Sequence, residues 1–194
     1  MTAKDYARAE RIFSAALLKA RSQDEDGLRV ALTLTFLARA CEGQRKFVDA
    51  EPRYLEALRI VQKVRGPDHP DVAAILNNLG VLHRMHGQYP EAEHYLERAL
   101  AIKEGAHGPS HPDVALTVTN LAQLHVAKGE YETAAPLYER ALVIYEASYG
   151  PNDLRVAASL DRYVLLLRKM HRGDEANRLE QRAASIRAAR ATKG

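Results

Sequence analysis

Eight histidines and one cysteine are the residues of this 194-residue chain best suited to hold a metal ion or act as a nucleophile. His83 and His86 stand three apart and His107 and His111 four apart, spacings that bring two imidazoles onto one helix face. However, His83 recurs as His125 and His69 as His111, each 42 residues on. Recurrence at a fixed interval marks a structural role, and packed, hydrogen-bonded imidazoles are expected at 83 and 125. Cys41 stands one interval before His83. Its thiol is expected to fill space in a core, because the repeat forces no histidine and acid beside it. No GxxxxGK[ST], GxSxG or HExxH segment occurs, and the glycines fall at turns. Asp24-Glu25-Asp26 reads as a solvated linker run. No catalytic residue, metal or cofactor is expected.

The interval of 42 organises the whole chain. Gly66-Pro67, Gly108-Pro109 and Gly150-Pro151 mark its register, and residues 66–107 and 108–149 are identical at 20 of 42 positions. Self-similarity at such a period is the signature of stacked repeats. Ala50, Ala92, Ala134 and Ala176 align, as do Ala57, Ala99, Ala141 and Ala183. Repeats are therefore expected at 28–64, 71–105, 113–148 and 153–191, within a single domain spanning 1–194. Residues 4–20 align with the second half of a repeat at a spacing of 41, Tyr6, Ala9, Phe13 and Leu17 falling on Phe47, Ala50, Tyr54 and Leu58. The chain is thus expected to begin with half a repeat.

Each repeat carries two helical stripes. Val72, Ile75, Leu76, Leu79, Leu82 and His83 recur at i, i+3, i+4 and i+7, and Tyr89, Ala92, Tyr95, Leu96, Ala99 and Ile102 form the second stripe. The two helices of a repeat, A and B, run antiparallel. Gly87 suits the left-handed residue that ends helix A, and Pro70-Asp71 suits the start of one. Pro52 and Pro136 are expected near the first turn of a B helix, where a missing N–H costs little. Gly80, Ala92 and Ala99 let backbones approach closely. About nine helices and no sheet follow, in keeping with 32 Ala and 24 Leu against 12 Val and 6 Ile.

Leu79-Gly80, Gly87, Tyr89, Ala92, Leu96 and Ala99, repeated as Leu121-Ala122, Gly129, Tyr131, Ala134, Tyr138 and Ala141, resemble the tetratricopeptide repeat (TPR) in the 42-residue form of kinesin light chains and bacterial proteins. The resemblance implies an all-α, right-handed solenoid of antiparallel helix pairs whose A helices line a concave groove that holds a peptide or a partner helix. The outer repeats depart from the pattern: Arg45 and His171 stand where Gly87 and Gly129 do.

Helix A positions outside the core stripe are expected to face that groove: Arg39, Asn77, Asn78, Val81, Arg84, Asn120, Gln123, Arg162 and Arg168. Asn78 and Asn120 suit the backbone of an extended peptide, and the arginines suit acidic side chains. The expected role is a non-catalytic adaptor for a protein partner. A self-assembly module is the alternative, with Tyr6, Ala9, Phe13 and Leu17 of the unpaired first helix as the oligomer face. A sensing array within a larger signalling complex is a third reading, by analogy alone.

Charge is uneven: residues 1–154 hold 18 basic and 21 acidic side chains, residues 155–194 hold 10 and 4. Tyr163 is the only aromatic residue in the basic stretch, so stacking platforms are missing and nucleic acid is not expected as a partner. No apolar run reaches membrane-spanning length, the first twenty residues lack the apolar segment and small-residue cleavage site of a secretory leader, and a lone cysteine fits a reducing compartment, so secretion is not expected and a cytoplasmic location is.

Overall fold

The computed structural model describes residues 3–23 and 27–191; the Asp24-Glu25-Asp26 run lies outside them. Nine helices occur among the described residues, and no strand. They are α1 (Ala3–Gln23), α2 (Leu28–Gly43), α3 (Phe47–Arg65), α4 (Pro70–His86), α5 (Tyr89–His107), α6 (Pro112–Lys128), α7 (Tyr131–Tyr149), α8 (Leu154–Lys169) and α9 (Gly173–Ala191). Two compact units form, Met1–Ile102 and Lys103–Gly194, with the boundary inside α5. No described helix is long and apolar enough to cross a membrane.

The helix ends follow from the linkers. His69 and His111 are N-caps whose Nδ1 atoms accept from the amides of Asp71 and Asp113 at 3.1 and 3.2 Å. Asp153 does the same for α8, accepting from the Arg155 amide at 2.9 Å. The repeated HPD segment is therefore a start signal with histidine as the capping acceptor, satisfying one of the donors that a helix leaves open. At the other end Gly87 and Gly129 take φ of 82° and 81°. Arg45 and His171 adopt the same left-handed geometry at φ 59° and 58°. The departures from glycine changed the residue and not the turn.

Pro52 and Pro136 lie inside α3 and α7, five residues past the start of each, and not in the first turn. Both prolines are exposed. The ladder bond each removes lies on the helix's wet side, where water can take its place.

In the first unit a core runs through Leu34, Tyr54, Leu76, Leu79, Leu82 and Ala99. Gly80 makes its close approach possible: a β-carbon there would lie 2.5 Å from Leu96 Cγ and 3.2 Å from the Ala92 carbonyl oxygen. In the second unit Ala122, Ala134, Tyr138, Tyr163 and Leu167 form one cluster and Val156, Leu160, Ala183 and Ile186 another. Each fully buried leucine contributes about 1.5–3 kcal/mol relative to an exposed one.

Candidate functional site

Packing leaves each A helix one open stripe. On α2 the exposed side chains are Arg29, Leu32, Phe36 and Arg39. On α4 the same repeat positions carry the exposed Ala74 and the half-buried Asn78 and Val81. In the second unit α6 presents Leu116 and the half-buried Gln123, and α8 presents Leu154, Ala158, Arg162 and Leu165. Large apolar side chains stay in water on these stripes: Leu32 is 55%, Leu116 47% and Leu165 61% exposed.

The expected groove residues divide on this geometry. Arg39, Asn78 and Val81 share the open face of the first unit, and Gln123 and Arg162 lie on open stripes of the second. Asn77 and Asn120 are buried, and each is engaged by neighbours in the fold. Arg162 donates to the Ala158 carbonyl at 3.1 Å. Arg168, also exposed, pairs with Glu180 of α9 at 2.7 Å. Arg84 is half-buried and faces Glu42.

Glu42 falls in a groove-facing row by spacing, but its surroundings are not visible there. Burial raises its carboxyl pKa, while a hydrogen bond donated by Tyr54 at 2.9 Å and the Arg39 and Arg84 guanidinium groups pull it down. Two groove arginines thus gather about one enclosed carboxylate. Its signal was the row Glu42, Arg84, Val126, Arg168, in which an acid stands alone among basic and apolar residues.

The first helix packs on the chain's own α2. Phe13 stacks on Phe36 with centroids 5.2 Å apart and planes 16° from parallel. Tyr6 lies against Gly43, and Leu17 packs on the core of the first unit. Glu10 accepts from Gln44 and Lys46 at 2.8 Å each, and the Lys46 hydrogen bond, then that of Gln44, holds its carboxyl below the usual range. Tyr6, Ala9, Phe13 and Leu17, the expected oligomer face, are therefore half-buried within the chain. The large apolar side chains that α1 leaves open are Ile12 and Leu18, 55% and 74% exposed.

The histidines are structural participants. His83 Nδ1 lies 2.8 Å from Gln88 Oε1 and its ring stacks on Tyr95, while His125 Nδ1 lies 2.7 Å from Glu130. Cys41 is fully buried, and desolvation pushes its thiol pKa up. Among the described residues no group of three or more His, Cys, Asp and Glu is placed to hold a metal. In the basic stretch Arg155 pairs with Asp153, Arg172 with Glu175, Arg182 with Glu146 and Arg187 with Asp161.

A family model for the tetratricopeptide repeat matches residues 38–105, 87–147 and 113–189. No curated protein matches the chain. Among solved structures, BtubC (BKLC) from P. vanneervenii is 24% identical, with a TM-score of 0.80 over 95% of this chain and 74% of that one. A Podosopora anserina kinesin light chain with nearly identical TPR-like repeats gives 20% identity and a TM-score of 0.76 over 96% and 89% of the two chains. At these identities the likeness shows the fold alone. Helix pairs joined at left-handed turns, small residues where they cross and a repeat model matching most of the length have one meaning: the chain belongs to the tetratricopeptide repeat family.

Proposed function

We propose that the chain is a non-catalytic adaptor that binds a segment of a partner protein along the open stripes of its A helices. The observation that carries this reading is the stripe itself: Leu32, Leu116 and Leu165, large apolar side chains left in water beside exposed or half-buried polar residues. Phe36, Arg39, Asn78 and Val81 are the contact residues in the first unit, and Gln123, Arg162 and Leu165 in the second. Asn120, at the repeat position of Asn78, is assigned to the same role on sequence register. Arg39 and Arg162 favour acidic side chains in the partner segment. The division into repeats at 28–64, 71–105, 113–148 and 153–191, and a cytoplasmic setting for the reduced Cys41, belong to the same proposal. Pull-down from native extract with wild-type protein and with Asn78→Ala/Asn120→Ala tests it. Loss of a specific partner in the double variant is expected, and an unchanged partner set refutes the assignment.

Self-assembly through α1 is the second reading, favoured by the exposure of Ile12 and Leu18. Sedimentation of the whole chain and of Ile12→Ser/Leu18→Ser decides it. A wild-type monomer at high concentration removes the idea.

A further inference from the structure

The first helix has a second face, rotated away from α2. Ala9 and Ala16 fall in the repeat register on Ala50 and Ala57 of α3, Ala92 and Ala99 of α5, Ala134 and Ala141 of α7, and Ala176 and Ala183 of α9. Those eight counterparts are all 0% exposed, whereas Ala9 is half-buried and Ala16 is exposed. On α5 the cover is the preceding helix of the same repeat, which runs the opposite way: a β-carbon on Gly80 of α4 would come within 3.2 Å of the Ala92 carbonyl oxygen. The side of a B helix that carries these alanines is therefore shaped to receive an antiparallel helix at close range. Among the described residues no helix covers that side of α1.

At 100° per residue, Asp5, Ala9, Ile12, Ala16 and Lys19 fall within about 80° of arc around α1. Phe13 and Leu17, which face the first unit's interior, lie about 100° and 140° from Ile12 on the same scale. Asp5 and Lys19 are exposed, and Ile12 is 55% exposed. The seam thus carries an acid, a large apolar side chain and a base, each seven residues from the next.

That order selects a second copy of the same helix. Two α1 helices laid antiparallel about Ile12 set Asp5 of each against Lys19 of the other, twice by symmetry, and close Ile12 on Ile12. Ala9 then faces Ala15, and Ala16 faces Arg8, whose long side chain reaches past a methyl group to water. Laid parallel, the same helices oppose Asp5 to Asp5 and Lys19 to Lys19, and like charges repel.

We propose that α1 is the contact through which two copies of this chain pair, antiparallel and two-fold symmetric, with Ile12 on the axis. This rests on the self-assembly reading above and fixes the partner's helix, its direction and its register.

Sedimentation of the full chain at about 100 μM, a concentration suited to the small interface of one helix pair, should show a dimer. Ile12→Asp should weaken it tenfold or more at an unchanged melting temperature. Leu18→Ser, about 120° away around α1, should leave it intact. Asp5→Lys should weaken it several-fold, and Asp5→Lys/Lys19→Asp should recover most of that loss. Single cysteines treated with a short bismaleimide report direction, with the wild type and its buried Cys41 as the blank. Ile12→Cys should link to itself. Asp5→Cys and Lys19→Cys, each about 21 Å from its own symmetry mate, should link only when the two variants are mixed. A wild-type monomer overturns both the pairing and the self-assembly reading. A dimer that survives Ile12→Asp, whose Ile12→Cys variant does not link, or whose Asp5→Cys variant links to itself, overturns the pairing and leaves self-assembly in place.

Discussion

The Tyr54 hydroxyl donates to Glu42 at 2.9 Å, and the same two repeat positions in α8 and α9 carry Arg168 and Glu180, paired at 2.7 Å. One geometry serves a buried neutral donor and an exposed ion pair. For Glu42 the sign is set by burial, which raises its pKa above the ordinary carboxylate value. Its favourable contribution is present below that ordinary value and is lost as pH rises through the raised one. Glu42→Gln keeps an acceptor for Tyr54 and carries no charge, so its melting temperature should exceed the wild type's at pH 7 and match it near pH 4. Glu42→Ala strands the Tyr54 hydroxyl and should cost about 1–3 kcal/mol. Thermal melts of both variants across pH check this.

Gly43 holds the first helix in place by having no side chain. A β-carbon there overlaps the Tyr6 ring, which must move. Gly43→Ala is expected to cost about 1–3 kcal/mol in the first unit and to speed tryptic cleavage in α1. Tyr6→Ala should add little further loss in that background, because the contact is already broken. Additive losses in the double variant count against the contact.

His171 occupies a left-handed turn at φ 58° that glycine takes without strain. His171→Gly should therefore stabilise the second unit by about 1 kcal/mol in denaturant unfolding. Gly129→Ala, at φ 81° with open space around it, should lose a similar amount. Equal stability of His171→Gly and wild type means the turn relaxes freely.

Asp153 combines a helix cap with a contact to Arg155. The Arg155 side chain, then its amide, holds the Asp153 carboxyl down at about 2, against an ordinary 3.8. Its contribution is present above the ordinary value and is lost as pH falls toward 2. Asp153→Asn keeps the cap and should flatten stability across that window, while Asp153→Ala should cost about 1 kcal/mol at neutral pH. Urea unfolding at pH 2, 4 and 7 distinguishes the three proteins.

Helix positions were legible because the period of 42 repeats every boundary signal, so Gly87 and Gly129 announce the turns that Arg45 and His171 also make. What the register could not carry is rotation about the helix axis. Asn77 and Asn78 differ by one residue, yet one is buried and the other lies on the open stripe, a difference set by packing on both sides of α4. The row places Arg168 with the groove residues, and its ion pair with Glu180 of α9 is a contact that no single-helix pattern contains. The caps were half-legible: His69 and His111 read as structural residues of a repeated linker, while their acceptor role depends on a backbone amide two residues on. The stacking of Phe13 on Phe36 was half-visible, since the spacing of 41 placed Phe13 on Tyr54, a core position.

Lys103 sits in α5 with its amine enclosed, donating to the Thr117 hydroxyl at 2.9 Å and the Asp113 carbonyl at 3.2 Å. An amine held in that way is hidden from acylating reagents for as long as Lys103 stays on Asp113 and Thr117. The rate at which Lys103 takes up an acetyl group from a water-soluble reagent therefore times the breaking of those two contacts within the second unit. The chain carries its own chemical clock for local opening, readable by mass spectrometry of one tryptic site.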